Sequence, residues 1–271
     1  MQASIRLKWY QYKRHYFDFL KVLFGIVGFE ALILYIQKKG FLENFETTRM
    51  TLFFLLFSTS LLILVQTSIS ISRERSILER DFFSGLSRLS FSIASLLFES
   101  INAVIEALVF VLAYLTLAFY FAFDLPEKGS YFQSFLLEVF ITVVIVYLSS
   151  HFIALLVSVL TENSEISSVI LAVIIGIVQF SLAGTILQLP KAISKFSALT
   201  FLSYGHKVFG MSNDLYHLPS VMAKFHIPIE KGQLNQFKAS HAAILGDWSM
   251  LAIHAVAYAL IFMLLLIYRK K

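Results

Sequence analysis

Six ionisable side chains stand inside long apolar runs: Glu30, Glu99, Glu106, Glu138, His151 and His254. A charge is expensive to keep in such surroundings, so each marks a place to look for function first. Glu99 and Glu106 are seven residues apart and share one face of a helix, whereas Glu138 and His151, thirteen apart, are too distant to meet along one helix. No nucleophile or metal-ligand cluster accompanies the glutamates in sequence, so they do not read as a catalytic carboxylate pair. Packing and hydrogen bonding are the first expectation for these groups, a transport pathway the alternative. The chain has no GxxxxGK[ST] phosphate loop, no HExxH and no GxSxG. It has no cysteine, hence no disulfide, no thiol nucleophile and no Cys-based metal site. The expectation is a chain with no catalytic or metal-binding residues, which binds no cofactor and hydrolyses no ATP by itself.

The elements that carry these groups follow from composition. Of 271 residues, 58% are hydrophobic and 14% charged, and the mean hydropathy is +0.77. A soluble domain carries about a quarter charged residues, so this is an integral membrane protein. A membrane-crossing helix needs roughly 20 mostly apolar residues. Six runs qualify, at about Phe19–Ile36, Leu52–Ile71, Phe91–Phe123, Phe132–Leu160, Ile166–Leu189 and Trp248–Tyr268. The third and fourth are longer than a span needs and must tilt or extend beyond the bilayer. The first twenty residues mix Arg6, Lys8, Lys13 and Arg14 with aromatics, unlike a cleavable signal peptide.

Six spans put both termini on one side, and charge selects it. Arg6, Lys8, Lys13, Arg14 and Lys21 precede or open the first span. Arg73, Arg75, Arg80 and Arg88 follow the second, and Arg269, Lys270 and Lys271 end the chain. The short opposite loops offer only Lys38, Lys39, Arg49 and Lys128. Basic residues favour the cytoplasmic side, which places both termini and the loop 72–88 there. The same bias accounts for the net charge of +5 without a nucleic-acid partner. Ile5, Trp9, Tyr12, Tyr16, Leu20 and Leu23 recur at helical spacing with the basic residues on a neighbouring face. That pattern predicts an amphipathic helix over about 1–18 lying in the interface, ahead of a six-helix domain over 19–271.

The stretch "ERSILERDFFSGLSRLSFSIASLLFES" resembles the segment entering the third membrane helix in the G subfamily of ABC transporters. Glu74-Arg75, Arg80-Asp81, Gly85 and Ser90-Phe91 stand at matching spacing, with Asp81 for Glu and Leu86 for Tyr. "SVLTENSEISSVI" is similar to the polar turn between that family's fourth and fifth helices. "FSLAGTILQLPKAISKF" followed by "FLSYGHKVFG" resembles its fifth-helix end and re-entrant stretch. Gly184, Pro190, Tyr204 and Gly205 match there, with Ser203 where Arg is common. The matches run in order over about residues 70–210.

The resemblance implies an all-α, six-helix half of a type-2, G-like ABC exporter that works as a dimer, with the N-terminal helix as its connecting helix. The loop of about 72–90 would dock on an ABC ATPase through Glu74, Arg75, Glu79, Arg80, Asp81 and Gly85, with ATP and Mg on that partner. Arg75 and Glu79, four apart, would also brace this helix internally. The second and fifth helices would line the pathway, with Phe57, Thr59, Gln66 and Phe180 as candidates and Gln179 a further polar exception. Gly184, Thr185, Ile186 and Leu187 would form an outer gate between two halves, same or homologous. Pro190, Tyr204 and Gly205 would lie in the re-entrant part of an outer loop spanning about 190–245. The starting Met1 leads to the expectation that the ATPase is a separate subunit of a bacterial inner-membrane system. The mostly apolar lining suits a lipid, a hydrophobic peptide or a drug moved outward. Three alternatives stay open: a polysaccharide- or glycolipid-exporting permease of the same class, an ion-coupled secondary transporter, and a membrane-embedded enzyme. The carrier is disfavoured by scattered glutamates and the lack of an internal repeat, the enzyme by the lack of polar residues clustered at a common depth.

Overall fold

The computed structural model describes residues 2–161, 164–185, 189–190, 192–224 and 231–268. Every regular element among them is helical: α1 (Gln2–Arg14), α2 (Tyr16–Ile36), α3 (Phe45–Ser72), α4 (Arg75–Phe83), α5 (Arg88–Phe121), α6 (Phe135–Leu160), α7 (Glu165–Leu182), α8 (Phe201–Ser212), α9 (Val221–Lys224), α10 (Lys231–Asn235) and α11 (His241–Tyr268), with short 3₁₀ turns at Ser194–Leu199 and Leu215–His217. Among the described residues six helices, α2, α3, α5, α6, α7 and α11, are long and apolar enough to cross a membrane.

Local chemistry sets where several of these helices begin. Asn44, Ser87, Ser134 and Ser164 each accept a hydrogen bond from a backbone N–H three residues on, capping α3, α5, α6 and α7. Three boundaries lie seven residues from the sequence expectation. The second span begins at Phe45 and not at Leu52, where Asn44 caps it. The fifth span ends at Leu182 and not at Leu189, because Gly184 takes a left-handed conformation (φ +72°) that stops the helix before Pro190 is reached. The last span begins at His241 and not at Trp248, where the Ser240 hydroxyl accepts from the Ala243 N–H. The polar His241 and Asp247 hide that first turn and a half from a hydropathy reading.

The most enclosed span is α6, which packs on α3, α5, α11 and α8. Its polar side chains bond locally. Thr142, Ser149 and Ser150 donate to the carbonyls four residues back, as Ser58 and Thr59 do in α3 and Ser95 in α5. Hydroxyls satisfied within their own helix cost little in an apolar setting.

The bundle has two distinct ends. At one, α1, α4, the start of α5, the α6–α7 turn and the end of α11 come together, as the contacts His15–Glu74, Arg73–Glu165 and Arg88–Leu266 show. At the other, Phe45 meets Phe237, Ser130 donates to the Met211 carbonyl, and Trp248 Nε1 donates to Thr142. There α8 folds back into the bundle between α3, α6 and α11 with Phe201 and Phe209 fully buried. Gly205 makes that approach possible, since a Cβ on it would stand 2.5 Å from Val146 Cγ2.

Candidate functional site

At the basic end α4 is fixed from behind and exposed in front. The buried Arg75 guanidinium donates to the carbonyls of Val159 (2.7 Å), Ser158 (3.5 Å) and Thr161 at the end of α6. Leu78 packs with Ile71, Phe91, Leu155 and Phe262 in an apolar cluster of its own. Behind the helix, Ser158 Oγ accepts from the N–H groups of Ile71 and Ser72, and Ser168 donates to Ser72. These bonds tie the ends of α3, α6 and α7 into one platform. The outward face of α4 carries Ser76, Ile77, Glu79, Arg80 and Phe83, with Asp81 half-buried and Gly85 exposed in the following turn. Two of the six residues expected to dock therefore point inward. Glu74 is buried and pairs with His15 (3.3 Å) and Gln11, while Arg75 is the anchor just described. Hydropathy cannot separate these orientations, because both faces of α4 carry charge.

Inside the basic end the structure assembles a cluster that spacing did not suggest. His151 on α6 stands between the two α5 carboxylates, its Nε2 2.8 Å from Glu106 Oε2 and its Nδ1 3.2 Å from Glu99 Oε2. Thr67 Oγ1 on α3 lies 3.0 Å from the same Nδ1, and Asn102 donates to Glu99 (3.0 Å). Glu99 and Glu106 are thus joined through a partner from another helix, while Glu30 and Glu138 stand apart from them. The cluster opens on a cavity of about 130 Å³ lined by α1, α2, α3 and α5. Gln66, expected on the transport pathway, lines this cavity.

Lys8 enters the cavity from α1. The helix turns Ser4 and Lys8 toward the bundle and leaves Ile5, Trp9 and Tyr10 outward, so its buried stripe is polar. Lys8 Nζ stands over the Phe91 ring at 4.8 Å. Burial holds this ammonium below the usual lysine range, and the opposing pull comes from Glu99 and then Glu74.

The remaining expected positions separate. Phe57 and Phe180 pack together (5.0 Å between ring centres) with Phe53 and Phe54, and Phe54, Phe57 and Phe180 stay half-exposed where α3 meets α7. Thr59 is buried and bonds back to the Leu55 carbonyl. Gln179 is also buried, not on an open face. Thr185 is buried, 3.3 Å from His206 Nδ1 of its own chain, while Ile186 and Leu187 lie outside the described residues. Tyr204 is half-buried, its hydroxyl donating to the Ala198 carbonyl (3.4 Å), and Pro190 is exposed. Glu138 binds the loops at the end of the bundle opposite α4, accepting from the Tyr131 N–H (2.8 Å), the Phe132 N–H (3.3 Å) and Ser212 Oγ. His254 bonds the Met250 carbonyl on its own helix. Glu30 is fully buried with no hydrogen-bond partner among the described residues. No group of three or more His, Asp or Glu suited to a metal ion occurs among the described residues.

Fold and site together define a multi-pass helical membrane protein with a charged helix held rigidly against one end of its bundle. The family model for ABC-2 type transporters matches residues 2–210, and the chain belongs to that family. It is a permease of an ABC transporter, and such domains work in the membrane with ABC ATPase partners. No curated protein matches the chain.

Proposed function

We propose that this chain is the membrane subunit of an ATP-driven exporter of the G-like type, paired with a second six-helix half and powered by an ABC ATPase that supplies the ATP and Mg site. The observation that carries this reading is the build of α4. A helix whose inner side is bolted to α6 by Arg75 and Leu78, and whose outer side offers Ile77, Glu79, Arg80 and Phe83, suits transmission of a push from a soluble partner. An idle interfacial loop needs no such anchoring. The excess of Arg and Lys at that end makes it cytoplasmic, with both termini on the same side in a bacterial inner membrane. The half-exposed aromatic face of Phe54, Phe57 and Phe180 suits a pathway between two halves and an amphipathic or apolar cargo, a lipid, peptide or drug.

The decisive experiment is affinity purification of the tagged chain from its native membrane, followed by ATPase assay. Co-purification of a protein bearing a phosphate-binding loop, with hydrolysis lost on reversing charge at Glu79 and Arg80, supports the reading. Charge-reversed chains that retain full coupled hydrolysis and transport refute the docking role of α4. The buried Glu99–His151–Glu106 cluster favours one second reading, an ion-coupled carrier. Substrate flux driven by a pH gradient in vesicles containing only this chain would establish that reading instead.

A further inference from the structure

The cluster behind α1 can be counted proton by proton. A carboxylate only accepts hydrogen bonds, and each imidazole nitrogen either donates or accepts. The 2.8 Å gap between His151 Nε2 and Glu106 needs one proton. Nδ1 has Thr67 Oγ1 at 3.0 Å and Glu99 Oε2 at 3.2 Å. A proton on Nδ1 serves both oxygens, whereas a bare nitrogen accepting from the Thr67 hydroxyl would turn its lone pair toward the Glu99 anion. Two shared protons on one imidazole and two carboxylates leave the group with one net negative charge. A buried charge of that kind needs a counter-charge.

The walls of the cavity identify the counter-charge. From α1 come Lys8, Gln11 and Tyr12, and His15 follows that helix. Asp18 comes from α2, and Gln66, Thr67 and Ser70 from α3, with Arg73 and Glu74 just beyond it. Glu99, Asn102 and Glu106 come from α5, and His151 alone from α6. The other helices packed on α6, namely α7, α8 and α11, add no titratable group to these walls. At the rim Arg73 is engaged by Asp18 (3.1 Å) and Glu165 (3.4 Å), and His15 is shared by Asp18 and Glu74. Lys8 is thus the cation left facing the cluster, and α1 carries it in. The cavity of about 130 Å³ has polar walls and room for several waters, enough to bring protons in from the rim.

We propose that this cavity is a proton-binding site in which an additional proton and the Lys8 ammonium compete as counter-charge to the Glu99–His151–Glu106 cluster. A third proton makes the cluster neutral, and Lys8 then keeps only the attraction of Glu74 and its place over the Phe91 ring. The seated and lifted positions of α1 thereby differ by one bound proton. The lifted state binds more protons, so it gains as pH falls, and by reciprocity seating α1 expels the proton.

Two single-cysteine forms of the full chain in lipid nanodiscs test this, since the natural sequence has no cysteine. Ser4→Cys places a thiol on the buried stripe of α1, and Tyr10→Cys places one on its exposed side. The readout is the ratio of their rates with a water-soluble aromatic disulfide at each pH, which cancels ordinary thiol ionisation. The ratio should rise roughly tenfold from about pH 8 to about pH 5, within the usual range for two coupled sites. Glu106→Gln, which imitates the protonated carboxyl, should raise the ratio at both pH values, and Lys8→Met should abolish the pH step. A flat ratio in the otherwise natural chain, or a full step surviving Lys8→Met, overturns the proposal. Nitrogen-15 spectra of histidine-labelled natural chain give a check free of folding defects. The signal missing in His151→Gln should show both ring nitrogens carrying protons at neutral pH, and an unprotonated ring nitrogen, whether or not it accepts from Thr67, overturns the proposal as well.

Discussion

Arg75 illustrates how a single side chain changes meaning once its surroundings are known. In sequence it belongs to a charged loop, and in the structure its guanidinium caps the last carbonyls of α6. Cations at a helix C-terminus gain from the free carbonyls there, and hydrogen bonds to a charged group contribute about 1.5–3 kcal/mol. Arg75→Ala should therefore destabilise the detergent-purified protein by about 2–4 kcal/mol, read as a lowered denaturation midpoint, while Arg80→Ala on the exposed face stays within about 0.5 kcal/mol. Gly205 supplies a second test at this scale. Gly205→Ala drives a methyl into Val146 of α6 and should cost about 1–3 kcal/mol by overpacking. Val146→Ala in the same chain should recover most of that loss. Two losses that simply add would mean that α8 and α6 do not meet at this point.

Elements are joined at the end of the bundle opposite α4 by Glu138 in the first turn of α6. Its carboxylate takes two N–H groups of the preceding loop and the Ser212 hydroxyl at the end of α8. It therefore sets where the loop and the returning helix stand relative to α6. Glu138→Gln keeps the shape but turns an amide N–H₂ toward groups that also donate. The expected result is a loss of about 1–3 kcal/mol and faster protease cleavage in the loop of residues 124–134, with helix content unchanged by circular dichroism. Equal cleavage rates in the two forms would show that the loop is held by its aromatic contacts to Trp248 and not by the carboxylate.

On the scale of the whole molecule, the proposed pairing with a second half needs a face that is neither buried nor wholly lipid-like. The α3–α7 side presents Phe54, Phe57 and Phe180 half-exposed, whereas α5 presents Leu108, Leu112 and Phe119 fully outward, as a lipid-facing helix does. A sole cysteine replacing Phe57 should crosslink two chains in native membranes, and one replacing Phe119 should not. The reverse pattern would move the interface to α5. The purified chain alone should show no ATP turnover above that of an empty-membrane control, since its sequence has no phosphate loop. Robust hydrolysis by the contaminant-free chain would overturn that expectation.

The sequence alone determined the membrane class and the number of spans. These depend on properties summed over about 20 residues, in which single side chains average out. It also marked the charged loop that becomes α4 and the order of motifs that places the chain in its family. Residue-level partnerships were decided only by the tertiary structure. His151 lies 45 residues from Glu106, and no periodicity within one helix reports a meeting between α5 and α6. The inward turn of Lys8, Glu74 and Arg75 was hidden for a related reason. A charged residue at the membrane edge reads as solvated until the packing of α1 and α4 against the bundle supplies it with buried partners. The fifth span ended early at Gly184 because a left-handed backbone outweighed seven more apolar-leaning residues. Hydropathy measures what a segment tolerates, and helix packing decides which atoms face one another.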